Sequence, residues 1–410
     1  MFMSVGIREE HRDLLRILWF EDPCDFNSRI CVYRFKDLVY GLNCSQFIST
    51  FCLQETAIVN ETDACQKAVE MTSKSYYVDD GLESLDSEAE AIECINDHIK
   101  LLSSRNFQVH KIISNSREVL KNVDKNCLAE KLQCIELDFE DLPQQKVLGV
   151  RWDPETDEFV VKVNIVEQPY TKRGFWSMIQ QQFDPHGLCD PFMLPGKKIL
   201  QQLCKTNKDW DTTVPLDILK QWKKWYSGLK QLEKIQINRW FGSADRYELH
   251  SFCDASTIGK GCVIYLRGVS DDSIQVSFMV GKSLVVPSDV TTTVPKLELL
   301  AADLVAKQHI RVKNALRIQI ERSYFWSDSS TVLHWINDTS KRHPKFIARR
   351  LENIRMNSCP DEWRYVPTDL NPADIASRGS DPSKVDINHI WFQGPKFLQE
   401  RDETSWPVAK

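Results

Sequence analysis

The chain has 410 residues, 42% hydrophobic and 27% charged, with a formal net charge of −6. That length allows two or three domains of ~100–200 residues with buried cores, and no run approaches the ~20 consecutive apolar residues of a membrane helix. The acidic balance excludes a protein coated in basic surface, although local basic faces steer anionic ligands whatever the total.

The start, Met1-Phe2-Met3-Ser4-Val5-Gly6, lacks the basic flank and cleavage site of a signal peptide. Thirteen cysteines lie without regular spacing and without a C-x-x-C pair. This reads as buried reduced thiols, and hence as an intracellular protein, cytoplasmic or nuclear. Residues 1–75 mix short helical and strand-like runs, with Tyr40-Gly41-Leu42-Asn43-Cys44-Ser45 as a turn before an apolar helix through Phe51. Tyr76-Tyr77-Val78-Asp79-Asp80-Gly81 reads as a tight hairpin with paired negative charge at its tip. A merely solvated turn accounts for such a pair equally well. From Ser87 to Ser103, Ala91, Ile92, Ile95, Ile99 and Leu102 recur at helical spacing.

From Lys172 to Arg239 the pattern is helical and aromatic, broken at Phe183-Asp184-Pro185-His186-Gly187. Trp222 and Trp225 share a helix face and read as packing anchors. Two basic faces, Lys220 to Lys234 and Lys341 to Arg355, are each explained as well by a solvated helix.

From about residue 245 the order is strand, strand, strand, helix, strand, helix, helix, strand, helix. The strands are Tyr247–Cys253, Cys262–Leu266, Val276–Val280 with Ser283–Val286 as an added run, Ser323–Trp326 and Glu362–Val366. The first long helix starts after Pro295, with Leu297, Leu300, Ala301, Leu304 and Val305 as its buried stripe. Asp254 ends the first strand, Glu298 flanks that stripe, Asp328 ends the fourth strand ahead of the caps Ser329 and Ser330, and Asp374 opens the last helix.

Carboxylates at the ends of adjacent strands and at helix starts can converge on one sheet edge. Any one of them alone is an ordinary surface acid. Together they match the need of phosphodiester hydrolysis: Mg²⁺ or Mn²⁺ ions ~4 Å apart, caged by hard oxygen ligands. In that scheme Asp254 bridges two ions, Glu298 and Asp328 hold the ion on the leaving-group side, and Asp374 holds the ion that activates water.

The motif order resembles a BEL/Pao-type LTR-retrotransposon Pol polyprotein. Tyr77-Val78-Asp79-Asp80 is similar to the catalytic hairpin of a reverse transcriptase palm. Phe107-Gln108-Val109-His110-Lys111 resembles the palm lysine motif, and Leu148-Gly149-Val150-Arg151-Trp152-Asp153-Pro154 the primer-side hairpin. Phe252-Cys253-Asp254-Ala255-Ser256, Val294-Pro295-Lys296-Leu297-Glu298, Trp326-Ser327-Asp328-Ser329 and Asn371-Pro372-Ala373-Asp374 look like the blocks of its ribonuclease H domain.

The resemblance implies an α/β fold: an α+β palm remnant plus a ribonuclease H-like mixed sheet flanked by helices. It divides the chain into a partial palm (1–165), a helical connection (166–244), a ribonuclease H-like domain (245–385) and a linker towards an integrase (386–410). It implies metal ligation by Asp79 and Asp80 as well as by the four acids above. In the family the first palm aspartate precedes a Met-Phe pair, which here is Met1-Phe2, so a palm unable to polymerise is expected.

The expected activity is endonucleolytic cleavage of RNA in RNA/DNA hybrids, with two Mg²⁺ or Mn²⁺ ions, no membrane partner and no small-molecule cofactor. Ser256 and Thr257 are candidates for the RNA strand, and Lys111, Lys341, Arg342, Lys345, Arg349 and Arg350 for nucleic-acid phosphates. The alternatives are a silent, domesticated nucleic-acid-binding protein or a fragment of a full reverse transcriptase/ribonuclease H. The connection has also been labelled an aspartic peptidase in the family, but the Asp-Thr-Gly or Asp-Ser-Gly triplets of such a dyad are missing. Many ribonucleases H carry a mobile histidine before the last aspartate, where this chain has Val366-Pro367-Thr368-Asp369-Leu370. His334 and His343 are the available substitutes.

Overall fold

The computed structural model describes residues 1–59, 64–206, 209–287, 293–338 and 340–408. The chain forms two compact units, Met1–Leu148 with Asp153–Thr156, and Gly149–Trp152 with Asp157–Lys410.

In the first unit β1 (Arg16–Phe20) and β2 (Ile30–Arg34) form an antiparallel ribbon. Helix α1 (Ser45–Val59) buries Ser45, Ser49, Leu53 and Thr56, a stripe at spacings of three and four. After α2 (Gln66–Lys74), β3 (Tyr76–Tyr77) and β4 (Asp80–Gly81) pair as the expected hairpin, with Tyr77 opposite Asp80. Helix α3 (Glu88–Ser103) starts at Ser87, whose hydroxyl accepts from the Glu90 amide.

Its buried face is Cys94, His98, Leu101 and Leu102, rotated from the predicted stripe. The reason is His98: its ring nitrogens meet the hydroxyls of Thr72 (2.9 Å) and Tyr76 (2.7 Å), so a polar ring is buried with both positions satisfied. Ile95 and Ile99 turn instead to a second cluster with Ile112, Leu120 and Leu132. Short elements α4 (Arg117–Lys121), α5 (Glu130–Gln133) and β5 (Gln145–Val147) complete the unit.

The second unit begins with β6 (Val150–Asp153) and β7 (Glu158–Val160). Helices α6 (Lys172–Gln180), α7 (Asp190–Cys204) and α8 (Leu216–Gly228) follow, and β8 (Gln236–Asn238) pairs with β7. Asp184 accepts from the amides of Leu188 (3.1 Å) and Cys189 (2.6 Å) just ahead of α7.

The remaining elements appear in the order read from the sequence. They are β9 (Arg246–Ala255), β10 (Gly259–Val269), β11 (Ile274–Val285), α9 (Val294–Ala315), β12 (Ile320–Ser327), α10 (Ser330–Asn337), α11 (Lys345–Asn357), β13 (Trp363–Tyr365) and α12 (Ala373–Arg378). The sheet runs β11-β10-β9-β12-β13. β9 to β11 form an antiparallel meander, while β12 is parallel to β9 and β13 to β12. Parallel neighbours need crossovers, which α9 and α10–α11 supply. The two runs predicted at 276–286 fall on one strand, β11, with a bulge at Met279 where the register shifts opposite Ile264 and Tyr265 of β10.

Both faces of the sheet are covered, which accounts for the near-continuous burial of β9 from Glu248 to Ala255. Leu249, Cys253 and Ala255 pack with Leu297, Ala301 and Val305 of α9. Phe252, Val263 and Trp326 pack on the other face with Phe175, Trp222 and Trp391. The helices of 166–244 therefore share a core with the sheet. So does the C-terminal stretch expected as a linker: α13 (Ile390–Gln393) and the turns after it bury Trp391, Phe397, Leu398 and Trp406. Apolar residues at those positions have a sheet face to cover. Arg267, fully buried, donates to the carbonyls of Leu398 and Glu400 (both 2.7 Å) and to Glu248 (2.6 Å).

Candidate active site

Because β9 and β12 are parallel neighbours, with Ser327 beside Cys253, their carboxyl ends deliver Asp254 and Asp328 to the same sheet edge. Asp254 is 6% exposed and pairs across the ladder with Gly261. Glu298 lies about one turn into α9. The fourth acid is brought in by the Asn371-Pro372-Ala373-Asp374 corner. Buried Asn371 donates to the Cys253 carbonyl (3.0 Å) and accepts from the Ala373 amide (3.1 Å), tying the start of α12 to the strand end next to Asp254. The helix then lies flat on β10 because Gly259 and Gly261 have no side chain. A Cβ at Gly261 would fall 2.3 Å from Ala376 Cβ, and one at Gly259 2.9 Å from the Ser377 carbonyl oxygen.

Each carboxylate has a partner. Ser377 Oγ donates to Asp254 Oδ2, Ser329 Oγ to Glu298 Oε2, Thr368 Oγ1 to Asp328 Oδ2 (2.8 Å), and Arg378 Nε to Asp374 Oδ1 (2.6 Å). Burial, with Asp328 and Asp374 adding repulsion, pushes Asp254 up to about 6 against the bond from Ser377. Burial likewise raises Glu298 and Asp328. Like charges raise one another in this way when they share a site.

The donor chemistry fits a hard divalent cation. The four candidate ligands are carboxylate oxygens, and the repulsion between them is what such an ion relieves. In this structure they are turned to their hydroxyl and guanidinium partners. Among the described residues no three His, Cys, Asp or Glu side chains group closely enough to hold a metal ion.

Residues 171–329, from α6 through Asp328 and Ser329, match the family model described as the Pao retrotransposon-like RNaseH-like domain. That segment of the chain is similar to a Pao retrotransposon domain. The matched segment includes Asp254, Glu298 and Asp328, while Asp374 lies beyond it.

Among solved structures, RNase H1 from the halophilic archaeon Halobacterium salinarum NRC-1 is 14% identical, with 32% of this chain and 93% of that chain covered and a TM-score of 0.23. The foamy viral protease-reverse transcriptase in complex with dsDNA is 12% identical, with 90% of this chain and 66% of that chain covered and a TM-score of 0.23. A search of curated proteins finds no match.

The other expected site residues divide into committed and exposed groups. Ser256, expected at the RNA strand, donates to the Ser377 carbonyl (2.8 Å) and accepts from the amides of Ile258 and Gly259, so its hydroxyl belongs to the turn. Thr257 beside it is exposed. Arg350 lies over the Phe346 ring at 3.9 Å and donates to the Phe346 carbonyl, and Lys341 pairs with Asp338 at 3.4 Å. Arg342, Lys345 and Arg349 are exposed.

His334 is exposed near Asp338 (3.9 Å), and His343 Nε2 is buried without a hydrogen-bond partner. The loop expected to lack a histidine contributes Thr368 instead. In the other unit Asp79 and Asp80 are exposed at the hairpin, and Lys111 is exposed with φ +60°.

Sequence reading missed Ser377, Thr368 and Arg378. Ser377 and Arg378 follow Asp374 at i+3 and i+4, where one helix face is shared, and that spacing was the available signal.

Proposed function

We propose that the chain is a divalent-metal-dependent endonuclease that hydrolyses the RNA strand of RNA/DNA hybrids. The observation that supports it most is the arrangement of Asp254, Glu298, Asp328 and Asp374 towards the carboxyl edge of β9 and β12, the first three within the segment similar to the Pao RNaseH-like domain. These four residues would hold the cations. When bound, Mg²⁺ or Mn²⁺ neutralises charge on a scissile phosphate and lowers the pKa of a coordinated water. The chain's own work is to hold the acids: Asn371 anchors α12, and Ser377, Ser329 and Thr368 orient three carboxylates.

Thr257 is the exposed candidate for an RNA 2′-hydroxyl, and Lys345 and Arg349 are the exposed candidates for phosphates. Hybrid affinity should fall with salt, and replacing Lys345 or Arg349 by alanine should reduce the logarithmic slope by about one for each phosphate no longer neutralised. An unchanged slope in both variants would remove α11 from the interface. No template-directed synthesis is proposed for the Asp79–Asp80 hairpin.

The deciding experiment compares hybrid cleavage in Mg²⁺ or Mn²⁺ by the wild type and Asp254→Asn. Losing a ligand should cost more than the 10- to 100-fold typical of outer-shell partners. Equal cleavage by the two proteins would sink the metal assignment. One observation favours a second reading, a nucleic-acid-binding protein that does not cut: every candidate ligand already has a protein partner. Tight hybrid binding without metal-dependent cleavage would establish it.

A further inference from the structure

We propose that Ser377 is a positioning residue whose hydroxyl fixes the Asp254 carboxylate relative to Asp374, so that the strand acid and the helix acid serve one cation. The proposal rests on the metal-dependent reading above. Ser377 is fully buried. Its Oγ donates to Asp254 Oδ2, and the Asp374 carbonyl oxygen lies 3.0 Å from the same Oγ. A hydroxyl has one proton, and the charged acceptor makes the stronger bond. The backbone of Ser377 is tethered as well, since its carbonyl accepts from Ser256 Oγ, two residues after Asp254. Hydroxyl and carbonyl of one residue thus hold both the acid and the turn that follows it.

The plainer account is a buried helical serine satisfied by the carbonyl three or four residues back, as Thr72 is by Ala68 and Thr56 by Cys52. Under that account the Asp254 bond is incidental. Electrostatics argues otherwise. Asp254 is buried within reach of the charges on Asp328 and Asp374, which would turn an untethered carboxylate away from them. Ser377 is the partner that holds it in their company. Accepting one hydrogen bond leaves a carboxylate with lone pairs for a cation, so tether and ligand do not compete.

The test uses the full chain, freed of metal by chelation. The thermal midpoint is followed against MgCl₂ for wild type, Ser377→Ala and Ser377→Thr, which keeps the hydroxyl, alongside hybrid cleavage over the same titration. The alanine variant should need about tenfold more Mg²⁺ for half its effect in both measurements, and threonine should restore most of that loss. If alanine does not fold, Ser377→Cys, similar in size and a weak donor, should show the same shift. A variant lacking the hydroxyl that is less stable but has unchanged half-saturating Mg²⁺ would show a purely structural serine and overturn the proposal. A wild-type midpoint indifferent to Mg²⁺ would overturn the metal reading itself, and the role of Ser377 with it.

Discussion

Asn371 spends its side-chain amide and its carbonyl oxygen on two backbone partners, and both bonds are buried. Replacing it with alanine strands the Cys253 carbonyl and frees the start of α12, at a cost of about 1–3 kcal/mol. Chemical denaturation would read this directly, and cleavage should fall further than stability because Asp374 loses its aim. His309 is a second residue whose setting has a measurable consequence. It is buried on the sheet-facing side of α9 between the hydroxyls of Ser251 (2.8 Å) and Ser323 (3.0 Å), and burial lowers it to about 3.

A histidine kept neutral by the fold binds its proton less well folded than unfolded. The stability it contributes is therefore complete above about pH 6.5 and is lost as pH falls from there towards 3. Thermal midpoints measured across that window should drop for the wild type and drop less for His309→Gln. Identical pH profiles would mean that His309 takes no part in acid unfolding. In the sequence this histidine is only one residue of an amphipathic helix, and nothing local indicates that two serines from different strands meet it.

At the scale of elements, the docking of α12 on β10 depends on a missing methyl group. Gly261→Ala places a Cβ against Ala376 from a strand buried on both faces, and relief requires lifting the helix. The expected cost is about 1–3 kcal/mol, with weaker Mg²⁺ stabilisation than in the wild type. A variant of native stability and native cation response would show that the helix seat is loose.

The nine elements from β9 to α12 were legible because strand alternation and helical stripes are local signals. What escaped were tertiary substitutions of one satisfied polar group for an expected apolar one, such as His98 on α3. So did hydroxyl commitments like that of Ser256, whose partner is 121 residues away. Ser329 shows both sides: its role as a helix cap was readable, whereas its bond to Glu298 needed the fold.

For the molecule as a whole, Arg267 ties the stretch after α13 into the second unit. Its guanidinium joins Glu248 to the carbonyls of Leu398 and Glu400 and lies 5.3 Å from the Trp406 ring. Despite burial, Glu248 is drawn down to about 2 by His250 and Arg267. Removing one partner of a buried pair typically costs about 3–5 kcal/mol, so Arg267→Ala should lower the melting temperature sharply. A protein shortened at Val385 should do the same by exposing Trp326 and Phe252. A shortened chain that melts like the full one would refute this role for the strap. No local period marks residues 386–406 as core, since their apolar side chains come in short runs, Ile390-Trp391-Phe392 and Phe397-Leu398, between polar turns; the sheet face that they cover explains them.

The ladder that sets Asp254 opposite Gly261 also governs which length changes the gene tolerates. Along β9, Cys253 faces α9 and Phe252 the opposite layer. One codon inserted just ahead of Asp254 would shift the strand by a residue, turn the carboxylate into the apolar layer beneath α9 and leave the inserted residue at the edge. All four acids would still stand in the sequence, yet the centre would be dismantled. The same insertion in the exposed turn at Asp271–Asp272 should pass almost unnoticed. Counting intact acids across related sequences would thus overestimate how many keep the proposed centre, and the residue count within β9 would be the stricter criterion.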